Sequence, residues 1–130
     1  MAREAYVLVV DDDPHVLGMV TTRLEFAGYN VTSATDAWQE VIQAEGLKLG
    51  LIITDIQMPG VGTGVDAYKK LRASKTISPE LPVIFMTGMK LDEAQAMIPP
   101  DPKVRLLAKP LDFLQLRQAI KELTGVDREL

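Results

Sequence analysis

The chain has 130 residues with a formal net charge of −4, 47% hydrophobic and 25% charged, which suits one soluble globular domain. It contains no cysteine and a single histidine, His15, so disulfides, thiolate zinc sites, a cysteine nucleophile and multi-histidine metal sites are excluded. Its acidic balance argues against direct nucleic-acid binding, and no apolar run approaches the roughly 20 residues of a membrane span. Met1 to Tyr6 lacks the basic and then apolar pattern of a signal peptide, so a cytoplasmic location is expected.

Five short apolar runs recur along the chain: Tyr6–Val10, Asn30–Ala34, Gly50–Thr54, Pro82–Thr87 and Lys103–Ala108. Four are rich in Val, Ile or Leu with little polar alternation, as in parallel strands covered on both faces. The second is more polar and is expected at a sheet edge. Helical patterns fill the gaps. Pro14 opens the first helix, with Val16, Leu17, Val20, Leu24 and Ala27 at helical spacing, and Gly28 ends it. Thr35 or Asp36 caps a second helix, carrying Ala37, Trp38, Val41, Ile42 and Ala44 and stopped by Gly46. A third spans about Val65 to Ala73, with Tyr68 and Leu71 inward. A fourth, near Leu91–Met97, is cut short by Pro99, Pro100 and Pro102. The fifth, Phe113–Leu123, carries Leu114, Leu116, Ile120 and Leu123, and Gly125 ends it. Trp38 and most methionines stand at core-like positions. One domain over residues 5–124 is expected, with 125–130 a short tail and no output domain in the chain.

Strand and helix alternate five times, which implies right-handed crossovers and one parallel sheet with helices on both sides. In such sheets the ligand site lies beyond the carboxyl ends of the strands. Those ends carry Asp11, Asp12 and Asp13, then Asp55, Thr87 and Lys109. Crowded carboxylates repel one another unless a positive charge offsets them. An oxygen-only ligand set points to Mg²⁺. Capping the first helix needs one acid, assigned to Asp13, which leaves Asp11 and Asp12 for the metal. A metal-facing carboxylate such as Asp55 can attack a phosphoryl group, while Thr87 and Lys109 can bond its oxygens. Removing Lys109 is expected to cost the unphosphorylated domain little stability.

Four stretches together resemble the response-regulator receiver domain of two-component signalling: Val-Leu-Val-Val-Asp-Asp-Asp-Pro, Leu-Ile-Ile-Thr-Asp-Ile-Gln-Met-Pro-Gly, Val-Ile-Phe-Met-Thr-Gly and Leu-Leu-Ala-Lys-Pro. The resemblance covers about residues 5–124. It implies a doubly wound, flavodoxin-like α/β fold with a five-stranded parallel sheet in the order 2-1-3-4-5. It implies that Asp55 is the phosphoacceptor for a phosphohistidine on a sensor histidine kinase or phosphotransfer protein. Asp12, Asp55 and the backbone carbonyl of Gln57 would bind Mg²⁺ directly, and Asp11 through water. Thr87 and Lys109 would hold the phosphoryl oxygens, and the Lys109–Pro110 bond would be cis. Such a domain is a switch for partner binding that catalyses only its own phosphorylation and dephosphorylation, as a monomer or weak dimer.

The chain departs from the family pattern in three places. Gly60-Val61-Gly62-Thr63-Gly64 is about one residue longer than the usual Gly-x-Asp-Gly and lacks its Asp, and its glycines imply a mobile loop. It does not follow the first strand, so it is no dinucleotide fingerprint. Leu106 replaces the usual switch aromatic, and Ile98-Pro99-Pro100-Asp101-Pro102 replaces a Gly-Ala turn. Two other readings compete. A haloacid-dehalogenase-type Mg²⁺ phosphatase would use Asp11 as nucleophile, but Pro14 and His15 break its motif, and no late acidic pair follows Lys109. A receiver-like scaffold would bind partners without phosphorylation, against which stands the intact set of Asp11, Asp12, Asp55, Thr87 and Lys109.

Overall fold

A computed structural model describes residues 5–58 and 62–130. Five strands and five helices alternate: β1 (Tyr6–Val10), α1 (Pro14–Phe26), β2 (Val31–Ala34), α2 (Ala37–Gly46), β3 (Leu49–Asp55), α3 (Gly64–Ala73), β4 (Val83–Thr87), α4 (Leu91–Ala96), β5 (Val104–Ala108) and α5 (Phe113–Thr124). All strand pairs are parallel, in the order β2-β1-β3-β4-β5, so the expected sheet forms and the polar β2 lies at its edge.

The pleat divides the buried residues between two cores. Leu8, Val10, Ile52, Ile56, Val83 and Phe85 face one side, against Ala44 of α2, Tyr68 and Leu71 of α3 and Ala94 of α4. Val7, Val9, Leu51, Ile53, Ile84 and Met86 face the other, against α1 and α5 through Val20, Leu24, Leu116 and Ile120. Both faces of β1, β3 and β4 are thus covered, which is why these strands read as near-continuous apolar runs. On the first side Tyr68 meets Phe85 edge-on, with ring centroids 5.6 Å apart.

The helix ends follow local chemistry. The Asp13 side chain accepts from the His15 amide at the start of α1, and Asp36 accepts from the Gln39 amide at the start of α2. Thr63 and Asp66 form a reciprocal capping box on α3. Gly125 closes α5 at φ 78°, a left-handed conformation that suits glycine.

Several expectations about the core are corrected. Trp38 is 67% exposed and Leu114 75% exposed. The inward stripe of α2 is Ala37, Glu40 and Ala44, and at about 100° per residue Trp38 and Ile42 fall outside it. On α5 the stripe is Leu116, Ala119, Ile120 and Leu123, and Leu114 lies roughly 200° from Leu116. Of the described methionines, Met86 is buried and Met58 and Met89 are partly buried, whereas Met19 and Met97 are exposed. Beyond Gly125 the chain has no further helix or strand, but it lies against α1 and α5. Arg117 pairs with Asp127 at 2.6 Å, and Arg23 donates to the Leu130 carbonyl at 2.9 Å.

The proline-bracketed turn before β5 is tied to α3. The Tyr68 hydroxyl donates to Asp101 at 2.6 Å, and Arg72 Nε donates to the same oxygen at 2.9 Å. Burial alone would raise the Asp101 carboxyl, but these donors hold it below its ordinary value.

Phe85→Ala should cost about 3–5 kcal/mol in urea unfolding, whereas Trp38→Ala and Leu114→Ala should stay within about 0.5 kcal/mol of wild type.

Candidate functional site: an acidic cluster bridged by a lysine

The carboxyl ends of β1, β3, β4 and β5 meet at one edge of the sheet, because parallel register holds them level. Val10 lies opposite Thr54, Asp55 opposite Met86 and Thr87 opposite Ala108. The residues just past these strands therefore converge. Carboxylate oxygens of Asp11, Asp12 and Asp55 all lie within 4.8 Å of one another. Asp11 is fully buried, Asp55 is 5% exposed and Asp12 is open to solvent.

Lys109 bridges two of the acids. Its Nζ lies 2.7 Å from Asp11 Oδ2 and 3.3 Å from Asp55 Oδ2. The other Asp11 oxygen, Oδ1, accepts from the Asp13 amide at 2.9 Å. Among the described residues, Asp55 Oδ1 has only a long contact, 3.4 Å, from the Gln57 amide. Both Asp11 oxygens are thus engaged, while Asp55 is lightly held. Burial raises the Asp55 carboxyl above its ordinary value; Lys109 opposes this and Asp11 adds to it. For Lys109, burial favours the neutral amine. The hydrogen bond to Asp11 and the fields of Asp55 and Asp11 outweigh that and hold it above its ordinary value.

Thr87 is buried at the end of β4. Its hydroxyl oxygen accepts from the Met89 amide at 2.9 Å, and its carbonyl accepts from the Lys109 amide at 2.7 Å. Among the described residues no hydrogen bond joins Thr87 to Asp55. The Lys109–Pro110 bond is cis, as expected. The Gln57 side chain is exposed, and Leu106 is partly buried against the α2–α3–α4 core. His15 is exposed, and its backbone amide donates a hydrogen bond to the Asp13 side chain. Of the glycine-rich loop, Gly60 and Val61 lie outside the described residues, and so does the expectation of a mobile loop there.

Chain 7–121 matches the family model for the response regulator receiver domain. The chain belongs to the receiver-domain family of two-component systems. Receiver domains of this family interact with histidine kinases or phosphotransfer proteins and bind Mg²⁺ at their acidic site. The receiver is 30% identical, over 84% of its length, to the CAI-1 autoinducer sensor kinase/phosphatase CqsS of Vibrio cholerae, of which it spans 16%. It is 32% identical, over 68% of its length, to the transcriptional regulatory protein FixJ of Bradyrhizobium diazoefficiens, of which it spans 41%. Among solved structures it resembles the receiver domain of the sensor histidine kinase PA1611 from Pseudomonas aeruginosa, which holds a magnesium ion in its active site cleft. That match has a TM-score of 0.79 and 26% identity, and covers 95% of this chain and all of that one. It also resembles the chemotaxis response regulator CheY4 of Vibrio cholerae, with a TM-score of 0.78 and 26% identity over 93% of this chain and 99% of that one. No helix among the described residues is long and apolar enough to cross a membrane.

Two features of the site were not anticipated from the sequence. A Cβ at Gly64 would collide with the Asp55 carbonyl oxygen, so glycine there lets the start of α3 press against the end of β3. Glu40 is fully buried in α2 and reaches Thr54, next to Asp55. Its spacing from Ala37 and Ala44 was the available signal, since it lies on the inward stripe.

The structure also changes the expectation for Lys109. Its ammonium faces the fully buried Asp11 Oδ2, and losing it strands that oxygen. Lys109→Ala should therefore destabilise the metal-free receiver by about 1–3 kcal/mol, read as a lower urea midpoint in chelator. Gly64→Ala should cost about 1–3 kcal/mol in the same assay.

Proposed function

We propose that this receiver accepts a phosphoryl group on Asp55 from a phosphohistidine of a sensor histidine kinase or phosphotransfer protein, and so switches its affinity for a partner. The observation that carries this reading is the arrangement of the acids. Three carboxylates converge, and the lightly held one, Asp55, lies 3.3 Å from the Lys109 ammonium. In the transfer, an Asp55 oxygen forms the new P–O bond as the P–N bond to histidine breaks, and the departing imidazole keeps the electron pair.

The donor set suits Mg²⁺. It is all oxygen, in a chain with no cysteine and one histidine placed away from the cluster. Asp12 and Asp55, with the Gln57 carbonyl, would hold the ion directly, and Asp11 through water. When bound, the ion would supply positive charge against the carboxylates and the phosphoryl oxygens. Lys109 is already charged and can turn from Asp55 to a phosphoryl oxygen. Thr87 keeps its hydroxyl proton free to donate, because the Met89 amide uses only its oxygen. Charge-assisted bonds from Lys109 and Thr87 could each contribute roughly 1.5–3 kcal/mol to the switch.

The phosphatase reading is set aside. The family is that of receivers, and both oxygens of Asp11 are occupied, one by Lys109 and one by the Asp13 amide.

With acetyl phosphate and Mg²⁺, intact mass should show one phosphoryl group per chain, labile to hydroxylamine and absent in Asp55→Asn. A stable covalent phosphate on Asp11 in that variant would overturn the assignment. Asp55→Asn should also raise the urea midpoint at neutral pH. Folding favours the protonated form of a raised carboxyl, so the stability it lends at low pH is lost as pH rises, and the neutral amide escapes that loss.

Calorimetry should show that Asp12→Ala abolishes Mg²⁺ binding. Asp13→Ala should retain it and lose about 1 kcal/mol of helix-cap stability.

A further inference from the structure

Glu40 has no role in the site as described, yet its carboxyl is fully buried in the middle of α2. Its partner is Thr54, on the file of β3 residues that faces α2 and α3. Among the described residues no cation pairs with it. β1 and β2 carry no charged residue within their spans. On β3 the charged residue is Asp55, paired with Lys109. On α3, Asp66 is held in the capping box, Arg72 pairs with Asp101, and Lys69 and Lys70 are exposed. On α2 itself, Glu45 is exposed.

The contacts around Thr54 favour a protonated acid. Glu40 Oε1 lies 2.9 Å from Thr54 Oγ1, which lies 3.0 Å from the Asp55 carbonyl oxygen. Two full-strength oxygen-to-oxygen hydrogen bonds use two protons. The threonine hydroxyl supplies one and the carbonyl none. A proton on Glu40 would supply the second, with Glu40 donating to Thr54 while Thr54 donates to the Asp55 carbonyl. The other Glu40 oxygen, Oε2, is buried without a hydrogen-bond partner. A neutral acid tolerates that far better than a carboxylate does. The Asp55 carbonyl that ends this chain is also the one against which Gly64 packs.

We propose that Glu40 is a positioning residue for the phosphoacceptor: as a neutral acid it orients the Thr54 hydroxyl onto the Asp55 carbonyl and so fixes the Asp55 peptide between α2 and the start of α3. This rests on the reading of Asp55 as phosphoacceptor. Burial pushes the Glu40 carboxyl up to about 8, with the Thr54 bond offsetting part of that rise. The folded value lies above the ordinary 4.5, so the stability held in this proton is complete below about 4.5 and is lost as pH rises to about 8. Above that, Thr54 turns its proton to the new carboxylate, and the Asp55 carbonyl loses its donor.

Two measurements on the full chain test this. Side-chain ¹³C NMR should show one glutamate carboxyl, missing in Glu40→Gln, that titrates near 8, well above the other glutamates. Ordinary titration by every glutamate would overturn the proposal. Phosphorylation of Asp55 by acetyl phosphate at pH 7 gives the second readout. Glu40→Gln and Thr54→Ser keep a donor chain and should stay within about twofold of wild type, while Glu40→Met and Thr54→Val should fall about tenfold, the effect of one lost hydrogen bond. Between pH 7 and 9 the rate ratio of wild type to Glu40→Gln should drop several-fold. Equal rates for Glu40→Gln and Glu40→Met, or a constant ratio across pH, would overturn the positioning role. A wild-type chain that takes no phosphoryl group at all would remove the phosphoacceptor reading, and with it the positioning role. The carboxyl titration would still show, independently, whether Glu40 holds the proton.

Discussion

The Lys109 ammonium is the constraint around which this site is organised. It lies between a fully buried carboxylate on Asp11 and a nearly buried one on Asp55, contributed by two neighbouring strands. Without a cation, two such carboxylates at close range could not both ionise. The lysine reaches them from the end of β5, across β4, and its backbone is held by the bond from its amide to the Thr87 carbonyl. One side chain thus offsets the acids and links the ends of β1, β3 and β5.

That arrangement leaves an unequal pair of acids. Asp11 is anchored at both oxygens, so it serves as a fixed negative charge. Asp55 makes one moderate and one long contact, so it is the less restrained of the two. The proposed phosphoryl transfer to Asp55 uses this division, with one acid holding charge in place and the other forming the bond. Parallel register sets it up, because level strand ends bring distant residues to one edge.

A second layer lies beneath the acids. Thr54 and Glu40 occupy the α2 side of β3, and Gly64 brings the start of α3 into direct contact with the Asp55 backbone. Farther along α3, Tyr68 and Arg72 hold Asp101 in the turn before β5. The helix that touches the Asp55 peptide at one end is therefore tied to the β4–β5 side of the domain at the other. Leu106 is packed into the same core on that side.

Much of this was legible in the sequence. Apolar runs without alternation marked buried parallel strands, Asp13, Asp36 and Gly125 marked helix ends, and the order of elements implied the sheet and the edge where Asp11, Asp12, Asp55, Thr87 and Lys109 would meet. These depend on local chemistry and on the fixed handedness of crossovers, which a linear string records. Residue type misled where only the orientation of a face decides burial. Trp38 and Leu114 look like core residues and point outward, whereas Glu40 looks like a surface residue and points inward. Which oxygen of Asp11 meets Lys109, and which proton serves the Asp55 carbonyl, depends on distances between elements far apart in the chain. Only tertiary packing sets those distances, because desolvation and hydrogen-bond geometry arise after the helices have docked on the sheet.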